Sequence, residues 1–220
     1  MSLQRRLTLL DYASQSGSRI VEDDYDSEFH YTDRALPALQ ALDSYGRVLY
    51  VGSFSKSLFP ALRLGYLICP PELAPSLAAA QTLLSQSVSL LQQKALANFM
   101  LDGNFNAHIR KMRVAYRQRR DRLISSLEQH ASDLFELEPC HAGMHLIAWL
   151  RASQVSDSKI AECLWAAEVD CLPISIFCDR RRLRQGLMLG FACAAETHIE
   201  ENVIRLAEVV RRALVDQVSA

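Results

Sequence analysis

In VGSFSKSLFPALRLGYL, residues 51–67, an apolar run ends in two serines and a lysine, and an arginine follows seven residues after the lysine. A lysine at a strand's end, partly withdrawn from water, has a lowered pKa and can attack an aldehyde as an amine. Lys56 is placed for that role. Ser53, Ser55 and Arg63 offer hydroxyls and a guanidinium, which are suitable partners for a phosphate. The same residues also fit a plain surface lysine in a Ser-rich turn with a solvated arginine behind it.

A second cluster is VEDDYDSEF, residues 21–29. If its strand runs on to Tyr25, two-residue alternation puts Asp23 and Tyr25 on one face and Asp24 on the other. A buried carboxylate facing a ring nitrogen keeps that nitrogen protonated, and a neighbouring phenol donates to a ring oxygen. An acidic loop that caps a helix or meets solvent would look alike. Taken together, each after a strand, the acid, phenol, amine and phosphate clamp describe a site for pyridoxal 5′-phosphate.

The elements that must hold these groups follow from hydrophobic periodicity. LQRRLTLLDYASQS, residues 3–16, reads as an amphipathic helix, with Leu3, Leu7 and Leu10 on one face and Gly17 as its C-cap. SRIVEDDYD is a short strand. GRVLYVGSFSK is a second, and its continuous apolar run predicts a parallel sheet covered on both faces. LRLGYLICP is a third. Residues 71–130 are helical, in the segments PELAPSLAAAQTLL, SLLQQKALANFML and NAHIRKMRVAYRQRRDRLISSLEQH. Beyond them, LFELEP, MHLIAWL and GLMLGFA read as strands, and DSKIAECLWAAE and ETHIEENVIRLAEVVRRALV as helices. The change of pattern places a boundary near 116–125, so that residues 1–118 form an α/β layer and 119–220 a smaller α+β domain.

Composition narrows the classes. The chain has 220 residues, half of them hydrophobic, and a net charge of −1. It should fold as a globular protein, and no global basic surface marks it as a nucleic-acid binder. Its six cysteines have no CxxC spacing and no histidine cluster beside them, which argues against zinc and for reduced thiols in a cytoplasmic protein. No apolar run reaches the length of a membrane span.

The stretches RIVEDDYDSEFHY, VGSFSKSLFPALRLGYL, LLQQKALANFMLDGNFNAHIRKMRVAYRQRRDRL, AGMHLIAWL and GLMLGFA together resemble the aminotransferase-like domain of MocR-type transcriptional regulators. These belong to the GntR family and join a winged helix-turn-helix to a fold-type-I pyridoxal-phosphate domain. The resemblance implies the fold of a class I/II aminotransferase, represented here by the later part of the large domain and the α+β small domain. It implies a Schiff base between the cofactor and Lys56, an Asp23 partner for the pyridine nitrogen, and a Tyr25 partner for the ring's phenolic oxygen. Ser53 and Arg63, with Ser55 as a weaker candidate, would bind the phosphate. Further implications are a homodimer, an amino-compound effector or amino-acid substrate, and DNA contact only through an N-terminal domain outside this chain. A class I/II aminotransferase acting on an amino acid is the alternative.

Many aminotransferases hold the substrate carboxylate with an arginine at the start of the late strand, where this chain has Met188. Arg180, Arg181, Arg182 and Arg184 precede it and could substitute, or could form a solvated basic loop. The basic helix at 108–122 could contact DNA phosphates, but apolar or aromatic residues at 109, 112, 116 and 123 give it a buried face, so it reads as structural. His108 and His145 read as structural and stay outside the site. A sheet that begins midway would expose apolar surface and an unpaired edge, so poor solubility of the isolated chain is expected.

Overall fold

The computed structural model describes residues 1–32, 36–85, 88–152, 155–178 and 184–218. The chain forms two compact units, Met1–Arg110 and Lys111–Ala220.

The first unit begins with helix α1 (Leu3–Ser16), whose N-cap Ser2 accepts from the Arg5 amide and whose C-cap Gly17 takes the left-handed conformation that glycine adopts at least cost. Strands β1 (Ile20–Asp24), β2 (Val48–Ser53) and β3 (Gly65–Ile68) form a sheet in that order. β1 and β2 are parallel, with Asp23 beside Val51 and Asp24 beside Gly52, whereas β3 runs antiparallel to β2. The expectation of a wholly parallel sheet, covered on both faces, therefore holds only in part. β2 is apolar or aromatic from Val48 to Val51, as suits the central strand. One sheet face packs Val48 and Ile20 against Leu9 and Leu10 of α1 and against Leu39 and Leu42 of the short helix α2 (Leu39–Leu42). On the other face Val21, Asp23 and Leu67 are exposed. Helices α3 (Ala74–Ser85) and α4 (Leu90–Leu101) follow, and α5 (Asn104–His130) carries the chain across the division between the units.

The second unit contains β4 (Phe135–Leu137), β5 (His145–Leu150), α6 (Asp157–Ala166), β6 (Leu172–Pro173), β7 (Gly186–Gly190) and α7 (Ile199–Val218). Its antiparallel sheet has the order β4-β5-β7-β6. Leu127, Ala148, Ile160, Leu164, Leu187, Phe191 and Val210 are buried in its core. Asp157 is buried too; its Oδ2 accepts from the amides of Ser175 at 3.1 Å and Gly186 at 3.2 Å, while Oδ1 has no partner among the described residues.

Helix α5 buries Ile109, Tyr116 and Leu123 at the spacing its sequence predicts. Three of its arginines are engaged within the second unit. Arg119 donates to the Ala192 carbonyl, Arg120 to the Cys140 carbonyl at 3.0 Å, and Arg122 pairs with Glu200. Among the described residues no helix is long and apolar enough to cross a membrane.

Candidate functional site

Alternation along β1 sorts its three acids. Glu22 faces the helical side, where its carboxylate accepts from the amides of Leu39 at 2.8 Å and Gln40 at 3.0 Å and thereby caps α2. Asp24 accepts from the Tyr50 hydroxyl at 2.8 Å and from the Ser27 amide at 3.1 Å. Burial, and then the bond to Asp24, push the Tyr50 phenol far above its ordinary pKa, so it stays a donor. Asp23 lies between them and points to the open face. It is exposed, and it forms no hydrogen bond or ion pair among the described residues. Tyr25 lies one residue past the strand's end and is 47% exposed, with its hydroxyl likewise unpartnered among the described residues.

The parallel register brings the carboxyl ends of β1 and β2 level. Open α/β sheets bind ligands at those ends. β2 stops at Ser53 and passes into a single turn closed by Leu58 N–H donating to the Phe54 carbonyl at 2.9 Å. The Ser53 hydroxyl accepts from the Ser55 amide at 3.1 Å. Lys56 sits mid-turn with an exposed side chain. A 3₁₀ turn, Pro60–Leu62, then returns the chain, and Phe54 N–H donates to the Leu64 carbonyl at 3.1 Å, next to the Ser53–Gly65 pair. Arg63 therefore arrives at the same sheet end as Ser53 and Ser55. It does so at φ 50, one of two non-glycine residues with positive φ among those described. An L-residue there costs on the order of 1 kcal/mol.

Aromatic packing supports the turn. The Tyr66 ring stands 2.2 Å from where a Cβ on Gly52 would be, so only glycine fits at that point of β2. Tyr66 contacts Tyr50 and Phe54 at centroid distances of 6.0 and 5.2 Å, and Phe54 meets Phe105 edge-on at 6.0 Å. His108, which the sequence placed outside the site, bonds through Nε2 to the Ser57 carbonyl at 3.0 Å. The only sequence signal for this contact is its position three residues after Phe105 on one helix face.

The remaining sequence candidates lie in the second unit. Met188 is in β7, between Ile147 and Leu172. Arg184 pairs with Glu136 and lies over the Trp149 ring at 5.5 Å. Arg180, Arg181 and Arg182 fall outside the described residues. His145 is an exposed residue of β5. A cavity of about 620 Å³ in the first unit is lined by Phe54, Leu64, Tyr66, Leu96 and Met100 among others and contains none of the candidate groups. The candidate site is instead an open sheet end.

Comparison with known proteins agrees with this architecture. Residues 2–188 match the family model described as aminotransferase class I and II, and the chain belongs to that family. It has the fold of the type-I pyridoxal-phosphate-dependent transferases: it superimposes with a TM-score of 0.88 on the kynurenine aminotransferase of Pyrococcus horikoshii, solved with PMP, at 28% identity over 97% of this chain and 53% of that one. It is 37% identical over 196 residues to the probable rhizopine catabolism regulatory protein MocR of Rhizobium meliloti, covering 87% of this chain and 39% of that protein. It is 41% identical to the HTH-type transcriptional regulator YhdI of Bacillus subtilis, covering 94% of this chain and 44% of the relative. The chain thus spans less than half the length of these regulators.

Proposed function

We propose that this chain is part of the pyridoxal 5′-phosphate-binding, aminotransferase-like effector domain of a MocR-type regulator, with Lys56 as the amine that carries the cofactor. The observation that supports it is chemical. At one end of the β1–β2 pair, a carboxylate, a phenol, an amine and a guanidinium are exposed and unspent, while the adjacent acids Glu22 and Asp24 are fully engaged. All four are exposed to solvent, and their types together complement a ligand with a basic ring nitrogen, a ring oxygen, an aldehyde and a phosphate.

In this proposal Asp23 holds a proton on the ring nitrogen and Tyr25 donates to the ring oxygen. Ser53, Ser55 and Arg63 bind the phosphate, and Lys56 presents its amine to the aldehyde carbon. When bound, the cofactor supplies an electron sink for chemistry at an amino group. The first unit is the cofactor-binding large domain and the second the small domain. The regulator acts in the cytoplasm as a homodimer, takes an amino compound as its effector, and contacts DNA through a winged helix-turn-helix outside this chain.

Titration of the chain with pyridoxal phosphate, borohydride fixation and peptide mapping test the proposal. A visible band and a fixed adduct on Lys56, both lost in Lys56→Ala, are expected. Equal labelling of the variant would overturn it. A second function is favoured by the structural likeness to an aminotransferase: amino-group transfer between an amino acid and a keto acid. Met188, in the slot where many aminotransferases carry the carboxylate-binding arginine, weighs against that second function, because substrate positioning supplies much of such a rate. Turnover of common amino acids by the full-length protein would favour the enzyme over a sensor.

A further inference from the structure

Among the described residues the exposed Lys56 amine has no hydrogen bond or ion pair, so its position depends on the turn beneath. That turn has one internal backbone bond, Leu58 to Phe54. Helix α5 touches it at both ends. Phe105 packs edge-on against Phe54 at the turn's start, and His108, one helical step later, bonds the Ser57 carbonyl near its close. A carbonyl oxygen only accepts, so His108 Nε2 carries the hydrogen. Ser57 is 1% exposed and its hydroxyl has no partner among the described residues, which leaves its carbonyl as the polar anchor.

We infer that His108 is a positioning residue for Lys56: by donating to the Ser57 carbonyl it fixes the lysine turn against α5 and sets the direction in which the amine is presented. This inference rests on the proposed role of Lys56. The side chain of His108 acts through the backbone and touches neither cofactor nor substrate. Without the donor, a buried carbonyl is left unsatisfied and the turn gains alternative conformations, so the amine spends less time in its working position.

The test compares the full chain with His108→Leu, which keeps apolar volume and removes the donor, and His108→Gln, whose amide can donate to the same carbonyl. Three measurements are made: hydrogen exchange at residues 55–58 without cofactor, pyridoxal phosphate affinity from the visible band, and the fraction of borohydride label mapping to Lys56. For His108→Leu, exchange in the turn is expected to quicken about tenfold and affinity to fall by a similar factor, the size of one lost hydrogen bond. Label should spread to other lysines, and His108→Gln should recover most of each loss at an unchanged melting temperature. Wild-type labelling at Lys56 with no change in His108→Leu overturns the inference and leaves the function intact. If the wild type takes no label at Lys56, the function fails, and the exchange rates alone then decide whether His108 holds the turn: equal rates in wild type and His108→Leu overturn it.

Discussion

The two units handle their apolar residues in opposite ways. The second closes its core within itself: a four-stranded sheet packs with α6 and α7, and Leu164, Leu187, Phe191 and Val210 are fully buried. The first has a small core around Leu10, Leu39 and Val48, a three-stranded sheet with one exposed face, and helices whose leucines meet solvent, Leu84 at 87% and Leu91 at 79%. Yet the candidate chemistry lies in the first unit. Apolar closure of the second unit leaves its unpartnered Trp149 Nε1 and Asp157 Oδ1 buried, whereas the open sheet end leaves Asp23, Tyr25, Lys56 and Arg63 exposed and, among the described residues, unspent. The difference teaches that low local closure and binding capacity go together here.

Truncation gives the largest expected difference. Leu164→Ala should cost about 2–5 kcal/mol through lost burial and a residual cavity, whereas Leu84→Ala should stay within about 0.5 kcal/mol, as exposed substitutions do. Both tryptophans, Trp149 and Trp165, belong to the second unit, so their fluorescence during urea denaturation reports the Leu164 variant, and amide exchange in α1 and β2 reports the Leu84 variant. Equal losses from the two variants would break the contrast.

Polar anchors come next. Asp157→Ala strands the buried amide of Gly186 and the part-buried amide of Ser175 and should cost about 1–3 kcal/mol on the same fluorescence signal. In the first unit, Glu22→Ala uncaps α2 and should cost about 1 kcal/mol, read as faster amide exchange at Leu39 and Gln40. A larger effect for Glu22 than for Asp157 would show that the first unit depends on polar rather than apolar closure.

A smaller effect depends on acidity. The hydrogen bonds from Arg211 hold the Asp133 carboxyl below its usual pKa. A depressed carboxylate contributes stability above its unfolded pKa of about 3.9, and that contribution is lost as pH falls through the folded value. The midpoint of the second unit should therefore drop below about pH 4, with a shallower drop in Asp133→Asn. An unchanged acid slope in that variant would remove the pair from the account.

The smallest perturbation is chemical labelling. Burial pushes the Cys171 thiol up to about 11, with Asp170 adding to it, while Cys163 and Cys193 are exposed. Iodoacetamide near pH 8 should modify the latter two and spare Cys171 until denaturant is added. Early Cys171 modification would mean that the second unit opens more readily than its packing implies.

Much of this was legible locally. α1 begins and ends where its cap residues stand, and the apolar periodicity of α5 marks its buried face. The candidate residues could be placed at one sheet end because Asp23 lies near the end of one short strand and Lys56 follows another. What escaped was non-local. α2 has no capping side chain of its own and depends on Glu22, seventeen residues away in the chain. β6 is two residues long and contains a proline, too little for alternation to register. The antiparallel direction of β3 leaves no mark in four residues. His108 meets Ser57 across 51 positions, which no periodicity reveals. The partnered state of Glu22 and Asp24, against the free state of Asp23, emerges only once the strand has two different faces.

If Arg63 binds the phosphate as proposed, its left-handed backbone sets heat resistance and cofactor retention against each other as selection pressures. Glycine would relieve its φ and discard its guanidinium. A mutant library sorted for thermal survival alone should drift toward glycine at that codon, while one sorted for cofactor retention should keep arginine. On the proposed phosphate role, divergence of the two populations at a single position would record what the arginine is kept for.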